Sequence, residues 1–158
     1  MPSGRRPPAT AIETSRGAAA ANAILHASCI AVDGRAALFL GRSGSGKSRL
    51  ALECLARGAA LVADDRVVVR RAGDGLLADA PPSLRGLIEA RGVGLLRARP
   101  AGPALLALAV DLDQGEGARL PPPRRHDLLG VSLPLLHNPE KDHFPAAIVQ
   151  YLRGGRYV

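Results

Sequence analysis

Apolar residues along this chain come in short runs punctuated by glycine, proline and charge, and the period and length of each run predict an element. From Asn22 to Val32 the run AILHASCIAV reads as a strand, and Asp33-Gly34 before AALFL is a two-residue hairpin signal that returns the chain as a second strand. That strand feeds a glycine-rich segment. Beyond it, SRLALECLAR (Ser48 to Arg57) places Leu50, Leu52 and Leu55 at helical intervals, with Gly58 as the stop. ALVADD, Ala60 to Asp65, predicts an apolar strand ending in two acids, and VVVRR, AGDG and LLADA predict a further hairpin before Pro81-Pro82 breaks the pattern.

Ser83 to Leu96, SLRGLIEARGVGLL, fits neither period and reads as a functional loop flanked by short elements. ALLALAVDLD, Ala104 to Asp113, predicts a core strand, and LPPPRR a surface linker. FPAAIVQYLRGG, Phe144 to Gly155, predicts a helix that opens with an early proline and closes on glycine. Ala146, Ile148, Val149 and Leu152 fall near one side of it, read as core rather than as a subunit contact. Residues 1–20 show no sustained period and read as a disordered tail, which leaves 21–158 as a single domain without internal repeats.

Composition sharpens this picture. Hydrophobic residues make up 47% of the 158 but aromatics only 3%, so the core must be aliphatic and small, as suits helix-on-sheet packing in an α/β fold. The formal charge of +7 is almost all arginine, because Lys47 and Lys141 are the only lysines. Those arginines are scattered, with no run longer than a pair such as Arg70-Arg71, and few aromatics accompany them to stack on bases, which argues against nucleic acid as partner. Cys29 and Cys54 form neither a CxxC nor a metal cluster and read as buried thiols. No apolar run is long enough for a membrane span, and the expected location is the cytoplasm.

The segment Gly41, Arg42, Ser43, Gly44, Ser45, Gly46, Lys47, Ser48 matches G-x-x-x-x-G-K-[ST] at every fixed position. Such a loop wraps backbone N–H groups around nucleotide phosphates. Its lysine reaches the β and γ oxygens, its serine ligates magnesium, and the helix start adds partial positive charge. The expected ligand is therefore a purine nucleoside triphosphate with Mg2+, ATP acting as phosphoryl donor. Asp64 and Asp65, at a strand end, would face the phosphates and metal. One acid suffices for the metal, and the other is free to accept a proton from an attacking hydroxyl.

This loop, followed by SRLALECLARGAALVADDRV and LRGLIEARGVGLL, resembles the catalytic domain of the HPr kinase/phosphorylase family, closely over about residues 22–97 and weakly beyond. The resemblance implies a P-loop nucleotide-binding fold of the HPr kinase / phosphoenolpyruvate carboxykinase-like type, a mixed sheet flanked by helices. It implies a protein serine kinase acting on an HPr-type phosphocarrier of a phosphotransferase system, and a homo-oligomer, hexameric in the long members. By that resemblance Asp65 is the proton acceptor, Asp64 its support, Glu89 a magnesium ligand beside Ser48, and His26 an active-site histidine. On the residues alone, a lone histidine in an apolar strand such as His26 is more often a structural residue than a functional one. Arg85 and Arg91 either pair with Glu89 or stabilise charge on the transferring phosphoryl group, with Arg91 in the candidate catalytic set.

The departures matter too. The family arginine before a Leu-Gly step is Leu128 here, in HDLLG, and the segment associated with dephosphorylation has no match in LPLLHNPEKDHFPAAIV. The resemblance therefore extends to forward transfer only. A small-molecule P-loop kinase and a non-catalytic, nucleotide-dependent regulatory protein remain alternatives, although no arginine-rich lid segment marks the former.

Overall fold

Residues 12–14 and 22–158 are described by a computed structural model. In chain order its elements are β1 (Ile12–Thr14), β2 (Asn22–Leu25), β3 (Ser28–Val32), β4 (Arg35–Leu40), α1 (Lys47–Leu55), β5 (Ala60–Ala63), β6 (Val67–Ala72) and β7 (Gly75–Asp79). There follow β8 (Leu87–Ala90), β9 (Gly94–Arg97), β10 (Ala104–Gly115), β11 (Arg125–Leu128), β12 (Val131–Asn138) and α2 (Phe144–Gly154).

Asp33 and Gly34 both take positive φ, 53° and 80°, the turn whose twist suits a two-residue hairpin, and β3 and β4 pair antiparallel as the sequence predicts. Ten strands form one mixed sheet in the order β1-β2-β6-β7-β10-β4-β3-β5, with β12 and then β11 beside the far half of β10. Strand β10 runs parallel to both β4 and β12 and antiparallel to β7. Its register sets Asp111 against Leu40, so its C-terminal end arrives where the glycine loop begins.

Strand β4 explains why the sheet has two apolar faces. Its residues from Ala36 to Leu40 are all buried, and alternation sends Ala37 and Phe39 to one side and Ala36, Leu38 and Leu40 to the other. Phe39 meets Leu50 and Cys54 of α1 and Ile148 and Leu152 of α2 in one cluster, so both helices lie on the same face. Leu38 belongs to the second cluster, which gathers β2 and β5 from opposite ends of the strand order and therefore curls the sheet around it. Each fully buried Leu or Phe contributes roughly 1.5–3 kcal/mol of transfer free energy.

Three expectations change, and one hairpin forms where the sequence predicted no element. The run from Asn22 to Val32 is two strands, broken at His26-Ala27, because β2 pairs with β6 while β3 pairs with β4. The segment 83–96 is not an irregular loop: after a 3-10 turn at Pro82–Leu84 it forms the antiparallel hairpin β8–β9, whose Ile88 and Leu96 pack towards the helices. The chain after the proline-rich linker forms a further hairpin, β11–β12, with Leu128 5% exposed in the core at the family-arginine position. On α2, Ile148, Val149 and Leu152 are buried as expected, but Ala146 is exposed. Most of the tail expected over 1–20 lies outside the described residues; within it Ile12–Thr14 pair with β2.

Candidate active site

The glycine loop sits between β4 and α1, as its motif requires. Gly41 has φ 150°, and a Cβ there would lie 2.5 Å from Ser45 Oγ, so the turn closes only without a side chain. Gly46 precedes α1 in a left-handed conformation, and neither a side-chain cap nor an acid satisfies the first helical N–H groups. Those donors stay open to an anion. Lys47 is buried, and its ammonium donates to the carbonyls of Gly41 at 2.6 Å and Arg42 at 3.1 Å. Burial lowers its pKa, against the opposing pull of Asp113, Asp65 and Asp64.

The two acids occupy different environments. Strand β5 stops at Ala63, before either of them. Asp64 is buried and accepts hydrogen bonds from Ser48 Oγ at 2.6 Å, Ser28 Oγ at 2.8 Å and the Glu89 N–H at 3.2 Å. Asp65 then turns to φ 73°, a left-handed conformation that asparagine and aspartate adopt most readily, and its side chain is 63% exposed. Its Oδ1 lies 3.0 Å from His26 Nε2. The break between β2 and β3 is what brings His26 out of the sheet to meet it.

One cleft of about 610 Å³ is lined by Ser43 to Ser48 of the loop and also by His26, Ser28, Asp65, Glu89 and Arg91. That volume lies in the range of small-molecule and cofactor sites. Arg42 stands apart from the lining, its N–H donating to Asp113 Oδ2 at 3.0 Å. Arg85 is not a cleft residue, because it pairs with Asp79 at 2.8 Å; Arg91 lines the cleft instead. The oxygen donors Ser48 and Glu89 that line the cleft are of the hard type that Mg2+ prefers, with Asp64 behind Ser48. Among the described residues no three His, Cys, Asp or Glu side chains form a ready-made metal cage, so an ion here would need further oxygens from phosphate and water.

Two residues of this arrangement carry no role in the sequence reading. Ser28 is the one hydroxyl in its apolar run, which is the signal that could have marked it. Asp113 is an acid at a strand end, and only the parallel register of β10 with β4 carries it to the loop. Cys29 and Cys54 are free and buried as expected; burial pushes both thiols up, that of Cys54 to about 12.

Strand, glycine loop and helix within a mixed sheet define a P-loop α/β domain. The HPr Serine kinase C-terminal domain family matches residues 18–101, more than half of the chain, and the chain belongs to that family. It is similar to the HPr kinase/phosphorylase of Caldicellulosiruptor bescii, 47% identical over 72 residues, which are 45% of this chain and 23% of that protein. The same-named protein of Caldanaerobacter subterraneus subsp. tengcongensis is 48% identical over 73 residues, 46% of this chain and 24% of the relative. The chain thus matches about a quarter of the length of these curated relatives. Among solved structures, the Hpr(Ser) kinase/phosphatase from Coxiella burnetii shares the fold, with a TM-score of 0.64 and 21% identity over 82% of this chain and 93% of that one.

Proposed function

We propose that the chain is an ATP- and Mg2+-dependent protein serine kinase acting on an HPr-type phosphocarrier, in the direction of phosphorylation. The observation that carries the reading is the meeting in one cleft of the loop residues Lys47 and Ser48 with the exposed Asp65–His26 pair. The loop N–H groups and Lys47 hold the triphosphate. Ser48 and Glu89 would hold the magnesium ion, which supplies neutralisation of phosphate charge. Asp65 takes the proton of the incoming serine hydroxyl as its oxygen bonds to the γ phosphorus and the bond to the β-phosphate oxygen breaks, releasing ADP. His26 holds Asp65 in place, and Arg91 offers charge to the transferring oxygens. Positioning and electrostatics suffice, since little covalent chemistry falls to the protein.

The test incubates the chain with magnesium, labelled ATP and an HPr-type protein carrying or lacking its serine. Serine-dependent labelling is expected; nucleotide binding without it would leave a nucleotide-dependent binding protein. This reading sets the chain in the cytoplasm with its partner. A homo-oligomer, hexameric by the family resemblance, is read by sedimentation of the same preparation, and a monomer would exclude it.

A further inference from the structure

Asp64 is the buried carboxylate of the described residues, and both its oxygens are engaged. Oδ1 accepts from two hydroxyls, Ser28 at 2.8 Å and Ser48 at 2.6 Å, and Oδ2 accepts from the backbone N–H of Glu89 at 3.2 Å. One carboxylate therefore ties together the start of β3, the first turn of α1 and β8. A buried carboxylate is tolerated only when donors surround it, and each donor removed leaves part of its desolvation cost exposed.

Ser28 is 1% exposed in a strand whose other residues are apolar. Alternation along β3 sets it on the same side as Ile30 and Val32, which belong to the cluster that includes α1. A hydroxyl there adds nothing to apolar packing, and its partner is Asp64.

We propose that Ser28 is a positioning residue for the cation end of the nucleotide site, acting through Asp64 on Ser48. The inference rests on the reading that the cleft takes a magnesium triphosphate. The Ser48 hydroxyl has one proton and two lone pairs. With the proton committed to Asp64, the lone pairs are left for a cation in the cleft, and that commitment holds only while Asp64 is fixed. Ser28 supplies the second donor to the same oxygen and keeps the carboxylate from rotating. The outer partners of a metal ligand act in this way, orienting the ligand without touching the ion. Asp65 is outside this chain of contacts, since its partner is His26.

The test measures binding of a fluorescent ATP analogue to the full chain over a magnesium titration, and again without magnesium. In Ser28→Ala the magnesium concentration for half-maximal enhancement should rise roughly tenfold, while magnesium-free binding stays as in the parent. Ser28→Thr, which keeps the hydroxyl, should restore the parent requirement. If the alanine chain does not fold, Ser28→Cys carries the comparison, because it holds the volume with a weak donor. An unchanged magnesium requirement in a folded variant overturns the proposal. So does an equal loss with and without magnesium, or a loss that threonine does not restore, each of which would make Ser28 a packing residue only. The readout is binding, so a chain that phosphorylates no protein still decides it. If the parent itself shows no magnesium-dependent nucleotide binding, the proposal and the reading beneath it both fall.

Discussion

Residues 22–101 and residues 102–158 both feed the two apolar clusters, yet they differ in what else they bury. Ser28, Lys47 and Asp64 are the buried polar or charged residues among those described, and all three belong to the first region. The second buries Leu108, Val110, Leu128, Leu133, Phe144, Ile148 and Leu152, and its main polar reach into the first is Asp113 at the root of the glycine loop. Buried polar groups cost free energy unless fully bonded, so their concentration around one loop marks where packing was subordinated to chemistry. The family match covers the first region almost alone, which fits a division into a chemical half and a packing half.

Three changes would break or sharpen that division. The largest effect is expected from Asp65→Asn, which removes the proposed proton acceptor and should lower single-turnover transfer about 10³-fold while nucleotide affinity holds; retained transfer would take Asp65 out of its role. Next comes Leu128→Ala, which opens a cavity in the packing half and should lower stability in urea by about 2–4 kcal/mol with no change in nucleotide affinity. If affinity fell while stability held, the halves would not be separable.

The smallest effect concerns His126 on β11. Burial lowers its pKa, against Asp111 and Asp127, which raise it. The unfolded chain protonates this imidazole near pH 6.5 and the folded chain only at lower pH, so the stability it contributes is present above about 6.5 and lost as pH falls towards the folded value. The urea midpoint should drop between roughly pH 7.5 and 5.5, and drop less in His126→Gln. Equal pH sensitivity in both chains would place the acid response elsewhere.

Much of the chemical half was legible because its residues act through local backbone. The loop, the helix after it and the Asp33-Gly34 turn are each specified within a few neighbours, and each forms where its residues predict. The β8–β9 hairpin was not legible, since its apolar alternation is short, two Arg-Gly steps interrupt it, and Ile88 and Leu96 need the helix layer to make sense. The break at His26 was hidden for a similar reason: nothing inside AILHASCIAV says that its first part pairs with β6 and its second with β4.

By itself the sequence determined the residues of the phosphate loop, the pair of acids after it and the buried state of the thiols, because each depends on neighbours in the chain. Only the tertiary structure decided that Asp64 turns inward to Ser28 and Ser48 while Asp65 turns outward to His26, and that Asp113 reaches the loop at all. The physical reason is sequence separation. Hydrogen bonds between residues 36, 39 and 71 positions apart are set by strand pairing and register, which emerge only when the whole sheet buries its two apolar faces at once.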